Sequence, residues 1–224
     1  MHAYEHMDQF LQHWINQEAT APWLDQLMAG ITNFSAWKPF LLAAFLVGMI
    51  FGKFRLRAML LCLIITLGFT DGILVNSIKH TVGRLRPFQA QEGVRVVHLK
   101  NASPQFLSMA TPPKVKVSEP PHAGEVLQGR SFPSSHAANI MLSATVIFLF
   151  YRRWGMLAFL IASLVFYSRV YTGAHWPTDV LAGATIGCLS AITIVALLNK
   201  AWQRWVPKLL PAIAERHPAL LTGR

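Results

Sequence analysis

Three short clusters in this 224-residue chain carry side chains suited to group-transfer chemistry. In the first, Lys79 is followed after six residues by Arg86 and Pro87; the second is Pro133-Ser134-Ser135-His136; the third is Ser168-Arg169, five residues, His175, three residues and Asp179. Fixed cations beside hydroxyl and helix-start amide donors describe a pocket for a group with two negative charges, of which phosphate is the commonest. Pro133 stops the preceding loop, so Ser134, Ser135 and His136 open a helix whose free N–H groups and positive dipole end suit an anion. Pro177 fits the first turn of a later helix, which puts Asp179 in that turn and His175 just before it, within reach of the carboxylate. A carboxylate on one ring nitrogen sets the tautomer and raises the basicity of the other, which makes an imidazole a nucleophile. His136 is then the remaining acid. Singly, each residue has a plainer role: a lone His is more often structural, and a Lys or Arg at a helix end commonly snorkels to the membrane interface. Their joint spacing favours chemistry.

The elements that must position these residues are apolar. Hydrophobic residues make up 53% of the chain and only 13% are charged, with a mean hydropathy of +0.38, which argues against an ordinary soluble globule and excludes disorder. The net charge of +10 does not point to nucleic acid, because the basic residues fall between long apolar runs, as in membrane proteins. Those runs are Ala36–Phe51, Ala58–Ile78, Ala137–Tyr151, Met156–Val170 and Val180–Leu198, each near the ~20 residues that cross a hydrocarbon core once flanking turns are added. The third and fourth are short, as for helices that begin inside a protein-lined cavity.

The expected fold is therefore all-α: a polytopic helical membrane protein with five to six transmembrane helices and an amphipathic N-terminal helix. It forms one membrane-embedded domain over residues 1–224. The N-terminal helix covers Tyr4 to Ile15, with Tyr4, Met7, Phe10, Leu11, Trp14 and Ile15 on one apolar face, a pattern that fits equally a helix lying at the membrane surface and one that simply packs against the protein. No cleavable signal peptide is expected, given Glu5, Asp8, Glu18 and Asp25 near the start. Pro22–Ile31 is half apolar and is not counted as a span.

Short basic loops at Lys53, Arg55 and Arg57, at Arg152 and Arg153, and at Lys200, Arg204 and Lys208 would all be cytoplasmic under the positive-inside rule. That puts the long loop 87–132 on the extracytoplasmic side, as an irregular cap over the site. Pro104, Pro112, Pro113, Pro120 and Pro121 rule out a long helix in it. Cys62 and Cys188 sit in apolar runs, so neither a disulfide framework nor a cysteine metal site is expected. Asp71 and Asn76, inside the second run, are read as interhelical hydrogen-bonding residues. Arg84 divides evenly between contact near the site and interfacial anchoring. His80, His98 and His122 read as solvated, and Trp14, Trp23, Trp37, Trp154, Trp202 and Trp205 as an aromatic belt.

In this order and spacing, the clusters resemble the three-part signature of the type 2 phosphatidic acid phosphatase superfamily, which includes lipid phosphate phosphatases and bacterial undecaprenyl pyrophosphate phosphatases. The resemblance covers Lys79 to Asp179, nearly half the chain. It implies attack on phosphorus by His175 to give a phosphohistidine, protonation of the leaving oxygen by His136, orientation of His175 by Asp179, and then water. Lys79, Arg86, Arg169, Ser134 and the Ser135 N–H would hold the phosphoryl oxygens. It implies no metal, no cofactor and a phosphorylated lipid as substrate, with undecaprenyl pyrophosphate as the first choice and phosphatidic acid, phosphatidylglycerol phosphate and lipid A phosphates left open. Together with the apolar runs and basic loops, the expectation is residence in the inner cell membrane with the site facing outward and no nucleic-acid partner. Ser135 departs from the family, which usually has Gly there, and five spans depart from the usual six. A lipid phosphotransferase using the same intermediate, or a lipid or anion transporter that only binds, are the competing functions.

Overall fold

The structure, a computed structural model, describes residues 2–119 and 129–221. Pro120, Pro121, His122 and the side chain of Tyr4 lie outside what is described. In chain order, α1 (His2–His13) runs through a π-helical turn (Trp14–Glu18) to α2 (Pro22–Thr32), followed by α3 (Phe34–Phe51). Next come α4 (Phe54–Phe69), a π-helical stretch (Thr70–Val75) and α5 (Asn76–Val82), which run into one another, and then the short α6 (Pro87–Ala90). After the long loop come α7 (Ser135–Phe150), α8 (Arg152–Tyr171), α9 (Pro177–Leu209) and α10 (Pro211–Arg216).

All five apolar runs fold as helices. Phe34–Phe51, Phe54–Ala90, Arg152–Tyr171 and Pro177–Leu209 are long and apolar enough to cross a membrane, and Ser135–Phe150 is shorter. The fourth run was expected to be short, but α8 starts at Arg152, because Arg152, Arg153 and Trp154 join its first turn. α7 is the short one, rising about 24 Å at 1.5 Å per residue. It packs among α4, α8 and α9, with Ala137, Ala138, Leu142, Val146 and Phe150 buried. α2, with 11 residues, is too short to add a sixth span. Large apolar side chains such as Leu41, Leu160, Leu181 and Leu189 stand exposed along the outer helices, the surface a lipid-embedded bundle needs. Trp14, Trp23, Trp37, Trp154 and Trp205 are also exposed, as a belt requires, while Trp202 donates its indole N–H to the His217 carbonyl.

Lipid tails are as apolar as the core, so close contact rather than water exclusion holds such helices together, and small residues mark where it happens. On α9, Gly183, Gly187 and Ala191 share one stripe, and the backbone of α7 lies against it. A Cβ on Gly183 would stand 2.4 Å from the Ser134 carbonyl oxygen, and one on Gly187 would stand 2.1 Å from that of Ala138. Gly187→Ala is therefore expected to cost about 1–3 kcal/mol through overpacking and to lower the melting temperature in detergent. Gly68→Ala, where a Cβ meets nothing within 4 Å, is expected to leave it unchanged or slightly raised. Equal melting temperatures for the two variants would refute this account of the contact.

Three expectations need correction. The 87–132 loop is not wholly irregular. Arg95–His98 (β1) pairs antiparallel with Lys114–Val117 (β2), Arg95 opposite Val117, and a 3₁₀ turn spans Gln105–Ala110 between them. Pro112 and Pro113 end just before β2 and so do not interrupt its ladder. Second, α1 does have an apolar face turned outward, with Met7 and Phe10 64% and 68% exposed, but its polar stripe of Asp8 and Gln12, continued by Asn16, is buried against the protein. The helix therefore packs through its polar stripe and leaves its apolar face exposed. Third, the side chains of Asp71 and Asn76 make no hydrogen bond among the described residues. Asn76 is exposed, and the Asp71 charge instead acts on Lys79 of the same continuous helix. His80 and His98 are exposed as expected, and both cysteines are free.

Candidate active site

The C-terminal ends of α5 and α8 and the N-terminal ends of α7 and α9 are tied together by backbone bonds between the three clusters. The Ser134 N–H donates to the Asp179 carbonyl at 3.0 Å, the His175 N–H to that of Arg169 at 3.2 Å, and the Ser131 N–H to that of Arg84 at 2.9 Å. The Trp176 indole donates to the Leu85 carbonyl at 2.9 Å. Glycine permits two of the turns. Gly83, at φ +61°, ends α5 four residues after Lys79, and Gly173, at φ +71°, turns α8 toward His175 with the Arg95 carbonyl so close that a side chain would clash.

Ser134 is the N-cap of α7, its Oγ accepting from the Ala137 N–H at 3.4 Å. The N–H groups of Ser135 and His136, at the first two helical positions, have no partner among the described residues, so α7 presents free donors as expected. His136 is half-buried and makes no side-chain hydrogen bond there either. The charges of Arg169, Lys79 and Arg86 and the His175 ring all act on its imidazole.

His175 is 2% exposed. Its Nδ1 lies 2.8 Å from the Ser131 carbonyl oxygen; a carbonyl only accepts, so Nδ1 carries the proton and Nε2 keeps its lone pair. Asp179 does not take that bond. Its Oδ2 stands 3.7 Å from Nδ1, and the same oxygen accepts from Ser131 Oγ at 2.5 Å and from the Trp176 N–H at 3.0 Å. The carboxylate thus holds the residue that holds the histidine, which corrects the direct pairing expected from the spacing. Burial pushes the His175 imidazole down to about 4, outweighing the opposing pull of Asp179. It is neutral near pH 7.

The cations fall into two groups. Arg84 and Arg95 are paired: Arg84 spans Asp8 at 2.6 Å and Asp179 at 2.7 Å, and Arg95 grips both oxygens of Asp25 at 2.9 and 2.7 Å. Lys79, Arg86 and Arg169 have no carboxylate within ion-pair distance among the described residues. Arg169, 8% exposed, donates Nη1 to Thr32 Oγ1 at 2.5 Å, and its Nε finds no partner. Half-buried and buried cations without counter-ions are costly unless an anion arrives.

All eight residues singled out by spacing, Lys79, Arg86, Ser134, Ser135, His136, Arg169, His175 and Asp179, therefore gather at one end of the bundle. Sequence reasoning missed Ser131, which acts through a carbonyl that every residue possesses, and also Asp8, Thr32 and Thr178. Arg84 belongs to the site's support. No group of three or more His, Cys, Asp or Glu placed to hold a metal ion occurs among the described residues.

A family model described as the PAP2 superfamily matches residues 55–203. A putative undecaprenyl-diphosphatase, YbjG of Escherichia coli (strain K12), is 43% identical over 79 residues, 33% of this chain and 40% of that protein, so the chain spans about two fifths of it. Phosphatidylglycerophosphatase B of Bacillus subtilis (strain 168) is 31% identical over 172 residues, 75% of this chain and 72% of that protein. The crystal structure of Aquifex aeolicus LpxE shares the fold, with a TM-score of 0.59 at 24% identity over 85% of this chain and 95% of that one.

Proposed function

Because the chain belongs to the PAP2 superfamily, we propose that it is an integral membrane lipid phosphatase that hydrolyses a phosphomonoester or pyrophosphate through a phosphohistidine. The observation that carries this reading is the set of three cations, Lys79, Arg86 and Arg169, that have no counter-ion among the described residues and stand around two imidazoles. One of these, His175, has its Nδ1–H bonded and its Nε2 lone pair free.

In the first step Nε2 of His175 attacks phosphorus, the P–N bond forms, and the P–O bond to the leaving group breaks as His136 gives that oxygen a proton. The imidazolium character that develops on His175 is stabilised through Nδ1–H and the Ser131 carbonyl, and behind them by the Asp179 charge. In the second step His136 takes a proton from water, whose oxygen attacks phosphorus and breaks the P–N bond, releasing phosphate and restoring both histidines. Throughout, the three cations and the Ser135 and His136 N–H groups face charge on the phosphoryl oxygens, where preorganised donors contribute most.

The first choice of substrate is an isoprenoid pyrophosphate such as undecaprenyl pyrophosphate, entering from the extracytoplasmic leaflet of the inner membrane. This orientation rests on the basic residues at the other end of the bundle, where Arg55 at the start of α4 donates to the Phe150 carbonyl at the end of α7. The loop 87–132 then caps the site from outside.

The test is inorganic phosphate release from undecaprenyl pyrophosphate and from phosphatidic acid, in detergent with EDTA. Release is expected to continue at the rate seen without chelator, and the ratio of the two rates ranks the substrates. A requirement for added Mg²⁺ would overturn the metal-free mechanism, and binding of phosphate analogues without release from either lipid would favour a transporter.

A further inference from the structure

We propose that Asp8, on the N-terminal helix and outside all three clusters, is a positioning residue for His175, a role that rests on the phosphatase reading above. Asp8 also lies outside residues 55–203, the segment matched by the family model.

A carboxylate that is 2% exposed must be paired to persist, and Asp8 is fully engaged. Its Oδ1 accepts from the Thr178 N–H at 2.9 Å. That N–H is one of the free donors at the start of α9, so Asp8 caps the helix bearing Asp179 from another helix. Its Oδ2 accepts from Arg84 Nη2 at 2.6 Å and from Thr178 Oγ1 at 2.5 Å. The other arm of Arg84, Nη1, donates to Asp179 Oδ1 at 2.7 Å and to Thr178 Oγ1 at 2.8 Å.

From there the chain is short. Asp179 Oδ2 holds Ser131 Oγ and the Trp176 N–H, and the Ser131 carbonyl holds His175 Nδ1. The Arg84 carbonyl fixes the same Ser131 from its N–H side, and the guanidinium lies over the Trp176 ring, 5.4 Å from its centroid. Asp8 therefore sets where Arg84 and the first turn of α9 sit, and these set the ring of His175. None of its bonds reaches Lys79, Arg86 or Arg169. Loss of Asp8 should then spare substrate binding and slow the chemical step.

Further bonds anchor the same N-terminal segment. Asn16, two turns on along the buried stripe, donates Nδ2–H to the Arg95 and Tyr171 carbonyls, each at 2.7 Å, and accepts from the Arg95 N–H at 2.8 Å. The N-terminal segment is thus held at a second point, in the π-helical turn that continues α1, so removal of Asp8 alone is expected to leave the helix in place.

The experiment compares Asp8→Asn, Asp8→Glu, Arg84→Ala, Asp8→Ala and the Asp8→Ala/Arg84→Ala double variant by phosphate release and by inhibition with orthovanadate, a phosphate transition-state mimic. Asp8→Asn is expected to lower kcat about 10–100-fold with KM within about twofold of wild type, and to weaken vanadate inhibition about tenfold. Asp8→Glu, which keeps the charge, should recover most of the loss. The double variant should be no slower than the slower single one, because both act through one network. The proposal is overturned if Asp8→Asn keeps kcat within about twofold, if KM carries the effect, or if the losses multiply. Should wild type release phosphate from no lipid, the phosphatase reading fails by itself. Vanadate binding then still decides, and equal affinity in wild type and Asp8→Asn overturns the role of Asp8.

Discussion

His175→Ala and His175→Asn are both expected to lower phosphate release by at least about 10⁴-fold, the scale on which loss of a covalent nucleophile is felt. The pair of variants separates chemistry from packing. His175 is among the largest fully buried side chains of the bundle, so Ala leaves a cavity and should also lower the melting temperature. Asn keeps more of the volume, and its amide N–H can donate to the Ser131 carbonyl in place of Nδ1–H, so its melting temperature should stay closer to wild type while its activity is equally lost. Residual activity within about tenfold of wild type in a folded Asn variant would remove His175 from the reaction.

The same residue makes a prediction about pH. Burial holds the His175 imidazole at about 4, below its ordinary value near 6.5, so the neutral, nucleophilic form persists in the free enzyme as pH falls from 7 toward 5. It is lost only as pH drops through about 4. The acid limb of kcat/KM, after correction for the substrate phosphate's own second ionisation at about 6, should therefore lie near 4. An acid limb remaining near 6.5 after that correction would mean that His175 is not held neutral by burial.

How legible the molecule was from its sequence follows from what each feature depends on. The five membrane helices depend on long apolar runs, which composition alone exposes. The site depends on helix ends, and Pro133, Pro177 and Gly83 mark those ends directly. Less was legible where the deciding partner is a backbone atom or lies far along the chain. The Nδ1 acceptor of His175 is the carbonyl of Ser131, 44 residues earlier, and no residue type signals a carbonyl. Asp8 meets Arg84 and Thr178 across 76 and 170 residues.

The N-terminal helix shows a different limit. Its amphipathic pattern was plain, yet periodicity reports only that two faces meet two environments. At a membrane the apolar face turns outward, so the stripe of Asp8, Gln12 and Asn16 packs inward, the reverse of a soluble helix. In the loop before α7, the alternation Lys114-Val115-Lys116-Val117 carried the period of a strand. The surrounding prolines excluded a long helix, as the structure bears out, but left the short strand pair unannounced.

His136→Ala is expected to cost about 10²–10⁴-fold in kcat, by an amount set by the leaving group. An alkoxide leaves only with a proton, so cleavage of a phosphomonoester such as phosphatidic acid should suffer the full loss. The second half of a pyrophosphate, or a nitrophenolate, leaves as a stable anion and needs the proton far less. With these substrates the loss should fall to about tenfold or less. The positions on α7 support this division of roles. His136 makes no side-chain hydrogen bond among the described residues, so its ring is free to meet the substrate, while the charges of Lys79, Arg86 and Arg169 around it are the ones proposed to hold the phosphoryl oxygens. A loss equal across all three leaving groups would recast His136 as a phosphate-binding residue. A loss that grades with leaving-group basicity would assign it the proton, and the size of that loss on each lipid would show which substrate the site depends on it to cleave.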